Sequence, residues 1–125
     1  MSCHNELGKT GELLSVKYLE EKGFTIIERN WRHGRYEIDI IASLKDTLHF
    51  VEVKTRSSDT FGLPEEAVST GKMKKLTSAA NEYLQLNKGW KWIQYDILSV
   101  TIVSGTDPEF HFMQDVWVGA GNIRI

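Results

Sequence analysis

The chain predicts an α/β domain with a mixed central sheet flanked by helices, in the order αβββαββ. Three observations predict it. Segments 5–22 and 70–87 repeat apolar residues at helical spacing. Between them lie three β-rich runs with connections short enough for an antiparallel meander. Two further runs follow the second helical segment, and the first is nearly continuously apolar, as for a strand covered on both faces. Such elements pack in layers around one core, and 125 residues suit a single domain spanning 1–125.

The first helix carries a stripe of Leu7, Gly11, Leu14 and Tyr18, with Asn5 as its expected N-cap and Gly23 as its stop. Glu12 shares a flank with Gly8, Val16 and Leu19, so its carboxylate is expected to turn partly inward. Phe24 to Trp31 is rich in β-branched and aromatic residues and reads as the first strand. His33–Gly34 turns the chain into a second strand, Tyr36 to Ser43, and Lys45–Asp46 into a third, Leu48 to Thr55. Ser57 to Pro64 is polar and reads as a loop. The second helix shows Met73, Leu76, Ala80, Tyr83 and Leu84 on one stripe and ends at Lys88–Gly89. Trp90 to Val103 is the fourth strand, Gly105 to Pro108 a turn, and Phe110 to Val118 the last strand.

Composition narrows the function classes. With 41% hydrophobic and 26% charged residues the chain is of ordinary globular type. No apolar run nears the roughly 20 residues of a membrane span, and the start MSCHNELGKTGELL lacks a signal-peptide pattern. Cys3 is the sole cysteine, so an intramolecular disulfide is excluded. The expectation is a cytoplasmic protein with no membrane partner. A net charge of −2 excludes a strongly basic nucleic-acid coat protein, though not a nuclease with carboxylates at a metal site. Basic residues gather at Arg29, Arg32, His33 and Arg35, and again at Lys72, Lys74 and Lys75. These are either solvated surface charge or phosphate contacts beside an active site.

The third strand poses the chemical question. In FVEVKTR, Glu52 and Lys54 project from one face while Val51 and Val53 point the other way. Asp39 precedes Glu52 by thirteen positions across a short turn, so a hairpin can bring all three charges together. Burying them uncompensated costs several kcal/mol per ion. Either an ion pair with Lys54 offsets that cost, or a divalent metal does. Two carboxylates with carbonyl and water oxygens are the hard ligands that Mg²⁺ or Mn²⁺ prefers.

An Asp on one strand and Glu-x-Lys on the next resembles the PD-(D/E)xK nuclease signature. The stretches GKTGELLSVKYLEEKGFTIIERNWR, EIDIIA, FVEVKTR and FG-x-PEEAV, with a Lys-rich helix after them, closely resemble the YraN family of small bacterial proteins. The resemblance runs roughly from Gly8 to Val100. It implies a restriction-endonuclease-like fold and an endonuclease related to archaeal Holliday junction resolvases. Carried over by residue, it implies Asp39 and Glu52 as metal ligands, with the carbonyl of Val53 beside them. Lys54 would position the attacking water, and Glu12 would reach the metal directly or through water. Glu37 and Tyr83 would stand behind that set, with packing the expected part for Tyr83. Arg29, Trp31, Arg32, Arg35, Lys72 and Lys75 are the candidate nucleic-acid contacts. The implied cofactor is Mg²⁺ or Mn²⁺. The implied partner is DNA ahead of RNA, and by analogy with junction-cutting relatives a homodimer. The Pro of the literal motif is absent, with Ile38 in its place, and Arg35–Tyr36 stands where family members commonly carry a small residue. The alternative from another class is a non-catalytic module that docks on nucleic acid or protein.

Other motifs fail on spacing. Gly8–Lys9–Thr10 resembles the end of a phosphate-binding loop, but Cys3 stands where its first glycine is needed. His4, His33, His49 and His111 are not at zinc spacing. His49 lies on the Val51/Val53 face and is expected in the core. Trp90, Trp92 and Trp117 are also expected to pack, leaving Trp31 as the tryptophan for nucleic acid.

Overall fold

The computed structural model describes residues 3–57 and 70–116. Its elements are α1 (Cys3–Glu21), β1 (Thr25–His33), β2 (Tyr36–Leu44), β3 (Thr47–Arg56), α2 (Thr70–Leu86), β4 (Trp92–Thr101) and β5 (Glu109–Met113). The expected segment from 58 to 64, the FG-x-PEEAV stretch, Trp117 and Val118 lie outside the described residues, as does the side chain of Lys72.

The strands form one sheet in the order β1-β2-β3-β4-β5. The first three are antiparallel neighbours, β4 runs parallel to β3, and β5 runs antiparallel to β4. The short turns explain the meander. Gly34 and Lys45 sit at φ +61° and +56°, the left-handed backbone that tight hairpin connections require. The parallel pair needs a long crossover, which contains α2.

Among the described residues, one helix covers each face. Met73, Leu76, Ala79, Ala80 and Tyr83 of α2 pack on Leu48, Phe50, Ile93, Tyr95 and Ile97. Val16 and Leu19 of α1 pack with Phe24 on Ile40, Ala42, Val51, Leu98 and Val100. Alternate residues of β4 thus enter opposite layers, and Ile93 and Tyr95 to Val100 are buried, as the apolar run predicted.

Helix α1 departs from expectation in two details. It begins at Cys3, so Asn5 lies in its first turn rather than capping it. Its most buried line is Gly11, Ser15, Val16 and Leu19, one flank over from the expected stripe, with Leu14 and Tyr18 only partly buried. Gly11 sets this rotation. A Cβ there would lie within contact of Thr55 Oγ1 and 2.7 Å from its Cγ2, so the helix backbone rests directly on β3. The helix ends as Gly23 predicts. Gly23 takes φ +97°, its N–H donates to Glu20 O, and the Phe24 N–H donates to Leu19 O, a Schellman closure.

Gly11→Ala is therefore expected to lower the unfolding free energy by about 1–3 kcal/mol through overpacking. Gly8→Ala, with nothing within 4 Å of the added carbon, should be neutral or stabilising through helix propensity. Urea midpoints of the two variants check the contrast.

Candidate metal and phosphate cleft

The site forms where β2 parts from β3. Their ladder runs from Leu44↔Thr47 to Ile40↔Val51 and stops. Beyond it the Val53 N–H donates instead to Asp39 Oδ2, at 2.8 Å. A residue in an extended strand directs its N–H and C=O toward the same neighbour, so the Val53 carbonyl faces the same opening.

The irregularity extends into β1. Arg29 pairs with Ile40 and Trp31 with Ile38, which places Asn30 opposite Asp39. Alternation fails on both strands at this step. Ile38 joins Ile41 on the α2 side, while Ile40 faces α1. Likewise Arg29 approaches Glu12 of α1, while the Trp31 ring meets Tyr83 of α2 edge-on at 5.3 Å. Asn30 absorbs the change with φ +52°, a conformation asparagine tolerates better than most residues.

Three neighbouring cavities that share lining residues make up the opening. On the α1 side, about 680 Å³ is lined by Lys9, Glu12, Asn30, Arg32, Asp39, Lys54 and their neighbours. The middle is lined by Glu37, Asp39, Glu52, Val53 and Lys54. On the α2 side it continues past Arg35, Glu37, Glu52, Lys74 and Lys75. The expected convergence of Asp39, Glu52 and Lys54 is present, and Glu12 joins them from α1.

The electrostatics are those of crowded carboxylates. Asp39 has its pKa raised from 3.8 to about 6. Loss of hydration on burial is the largest cause; the Val53 N–H opposes it, and the charges of Glu52, Glu12 and Glu37 add to it. Glu12 is held at the cleft wall, its side chain 17% exposed. Its Oε1 accepts from Asn30 Nδ2 at 2.6 Å and stands 4.0 Å from Arg29 Nη2. Among the described residues nothing hydrogen-bonds Glu12 Oε2 or Asp39 Oδ1. Also among them, no three His, Cys, Asp or Glu side chains form a metal cage by themselves. The donor set on offer is few carboxylates, one main-chain carbonyl and solvent. That suits Mg²⁺, which keeps several waters and takes few protein ligands.

The other expected positions divide. Arg32 lines the cleft and pairs with Glu37 at 2.8 Å. Arg35 lies over the Tyr36 ring, 5.8 Å from its centroid, at the α2-side rim with Lys75. The Trp31 ring is partly buried, edge-on to Tyr83 at 5.3 Å and stacked near His33. Tyr83 is 3% exposed among Trp31 and Phe50, the packing part expected for it. Trp90 packs on the α2-side cluster, whereas Trp92 is 49% exposed, against the expectation that it would pack. Sequence reading missed Asn30 and Lys9. Lys9 shares the helical face of Glu12 at a spacing of three, which was a readable signal. Asn30 gave none, because its role depends on strand register.

A layered α/β domain whose sheet splays around an acidic, lysine-bearing cleft is the class that this fold and site define. Residues 11–100 match the uncharacterised protein family UPF0102. A UPF0102 protein of Bacteroides thetaiotaomicron is 48% identical over 100 residues, covering 80% of this chain and 83% of the relative. One from Flavobacterium psychrophilum is also 48% identical, over 80% of this chain and 84% of the relative. A Rhodococcus opacus relative is 39% identical over 117 residues, 92% of this chain and 99% of its own length. The chain belongs to the UPF0102 family, the YraN-type family that its motifs resemble. No helix among the described residues is long and apolar enough to cross a membrane.

Proposed function

We propose that this protein is a metal-dependent endonuclease of restriction-endonuclease-like fold that hydrolyses DNA phosphodiesters, branched or recombining structures included. One observation carries the reading: Asp39 reaches across the parted strands to the Val53 amide, in a cleft shared with Glu52, Lys54 and Glu12. Asp39, Glu52 and the Val53 carbonyl would hold Mg²⁺ or Mn²⁺, with Glu12 completing the set from α1. When bound, such an ion polarises a phosphate oxygen and acidifies water.

The chain's own residues supply the rest. The Val53 amide engages one carboxylate oxygen of Asp39, and Asp39 lines the cleft. Lys54, lining both the middle and the α1 side, places an ammonium where a phosphate and its attacking water would meet. Lys9 and Arg32 on one side, and Arg35, Lys74 and Lys75 on the other, put cations along both continuations of the cleft. A phosphate backbone crossing the acidic centre would meet positive charge before and after it.

Lys54→Ala is expected to slow cleavage by about 10²–10³-fold while the fold survives. The assay uses labelled four-way junction, flap and single-stranded DNA with Mn²⁺ or Mg²⁺. Wild-type rates in Lys54→Ala would remove the lysine from the mechanism. Metal binding by the wild type with no cleavage of DNA or matching RNA substrates would leave the binding-module reading in its place.

A further inference from the structure

We propose that Asn30 is the positioning residue of this cleft: its side-chain amide holds Glu12 with one carboxylate oxygen turned toward the cation. The inference rests on the metal-site reading above and names a residue that the nuclease signature does not contain. Asn30 stands opposite Asp39 in register, and both line the α1 side of the cleft. Its φ of +52° falls at the step where β1 changes the face its side chains take. Arg29 and Asn30 meet the same acid there: Glu12 Oε1 accepts from Asn30 Nδ2 at 2.6 Å and stands 4.0 Å from Arg29 Nη2. With Oε1 engaged, Glu12 Oε2 is the oxygen left for a metal or its water.

The residue type follows from two demands. The position needs a left-handed backbone, which favours glycine, asparagine and aspartate. The side chain must donate to a carboxylate, which glycine cannot do and aspartate would oppose by repulsion. Asparagine alone of the three satisfies both. A hydrogen bond that orients a metal-directed ligand typically alters metal affinity by about 10–100-fold when lost.

The test is Mn²⁺ titration of the full chain by calorimetry, without nucleic acid. Asn30→Gly keeps the backbone conformation unstrained and deletes only the amide. It is expected to weaken Mn²⁺ binding at least about tenfold with an unchanged circular-dichroism spectrum. Glu12→Gln should weaken binding at least as much, and Asn30→Gly/Glu12→Gln no further than Glu12→Gln alone. Wild-type affinity in Asn30→Gly overturns the positioning role, as does full additivity in the double variant. Asp39→Asn is the control on the underlying reading: if it too binds Mn²⁺ like wild type, the metal site itself is wrong, a separate failure.

Discussion

Asp39→Asn is expected to abolish metal-dependent cleavage and, in the same molecule, to raise stability at neutral pH. The two effects have one cause. Asp39 is partly buried among Glu52, Glu12 and Glu37, and its pKa is pushed up to about 6 from 3.8. Between those values the folded state holds a proton that the unfolded chain has lost. Stability therefore falls as pH rises from about 4 toward 6, and the full penalty is present above it. Its ceiling is on the order of 2–3 kcal/mol. Asparagine never ionises, and its carbonyl oxygen can still accept the Val53 N–H. Thermal melts should then show Asp39→Asn and wild type nearly matched near pH 4, with the variant several degrees higher at pH 8. Mn²⁺ should raise the melting temperature of wild type at pH 8 and leave the variant unmoved. A variant less stable than wild type at pH 8 would contradict the strained-carboxylate account of the cleft.

This pairing of lost chemistry with gained stability distinguishes a functional acid from a structural one. A surface aspartate would change neither quantity much. An acid kept at a cost in the folded state needs a reason to be kept, and a divalent cation relieves the mutual repulsion of several carboxylates at once.

How far the sequence disclosed this site depends on which interactions are local. Alternation in FVEVKTR placed Glu52 and Lys54 together, and the short turn at Lys45–Asp46 brought Asp39 beside them, because hairpin register follows from loop length. The helical period put Glu12 beside Val16 and Leu19, and those residues are buried as that flank implies. The failures are positions where the period breaks. Asn30 and Asp39 face each other at a step where side chains change sides, and no count of twos reveals it. The contact of Trp31 with Tyr83 is another result of that break, since the period alone does not show which face the ring takes. The shift of the α1 stripe came from Gly11 meeting Thr55, a contact 44 positions apart that helical periodicity does not encode.

The second large effect is expected at a position the sequence did not single out. Asp96→Ala should cost about 3–5 kcal/mol of folding stability and leave the cleavage rate per folded molecule unchanged. Asp39 and Asp96 look alike in sequence, since Ile38-Asp39-Ile40 and Tyr95-Asp96-Ile97 each set an acid between large apolar residues. Their surroundings differ in kind. Asp96 is fully buried, and its Oδ2 stands 2.6 Å from His49 Nδ1. Its Oδ1 accepts from Gln94 Nε2 at 3.1 Å and from the Asp115 N–H at 2.9 Å. His49 is held in turn against the Phe24 ring, with centroids 4.8 Å apart. Removing the carboxylate strands the histidine and the Asp115 amide together, each buried or partly so. His49→Phe/Asp96→Leu should recover part of the loss by replacing the pair with apolar volume. It should not recover all of it, because the Asp115 N–H, two residues past the end of β5, loses the Asp96 carboxylate it donates to. Urea denaturation of the single and double variants measures the difference. Equal stability of Asp96→Ala and wild type would show that the network contributes nothing. A cleavage rate that fell in proportion to the stability loss would mean that the cleft and this side of the sheet are coupled. The comparison with Asp39 then runs in opposite directions: neutralising the acid in the cleft should stabilise the fold, and deleting the buried acid beside His49 should undermine it.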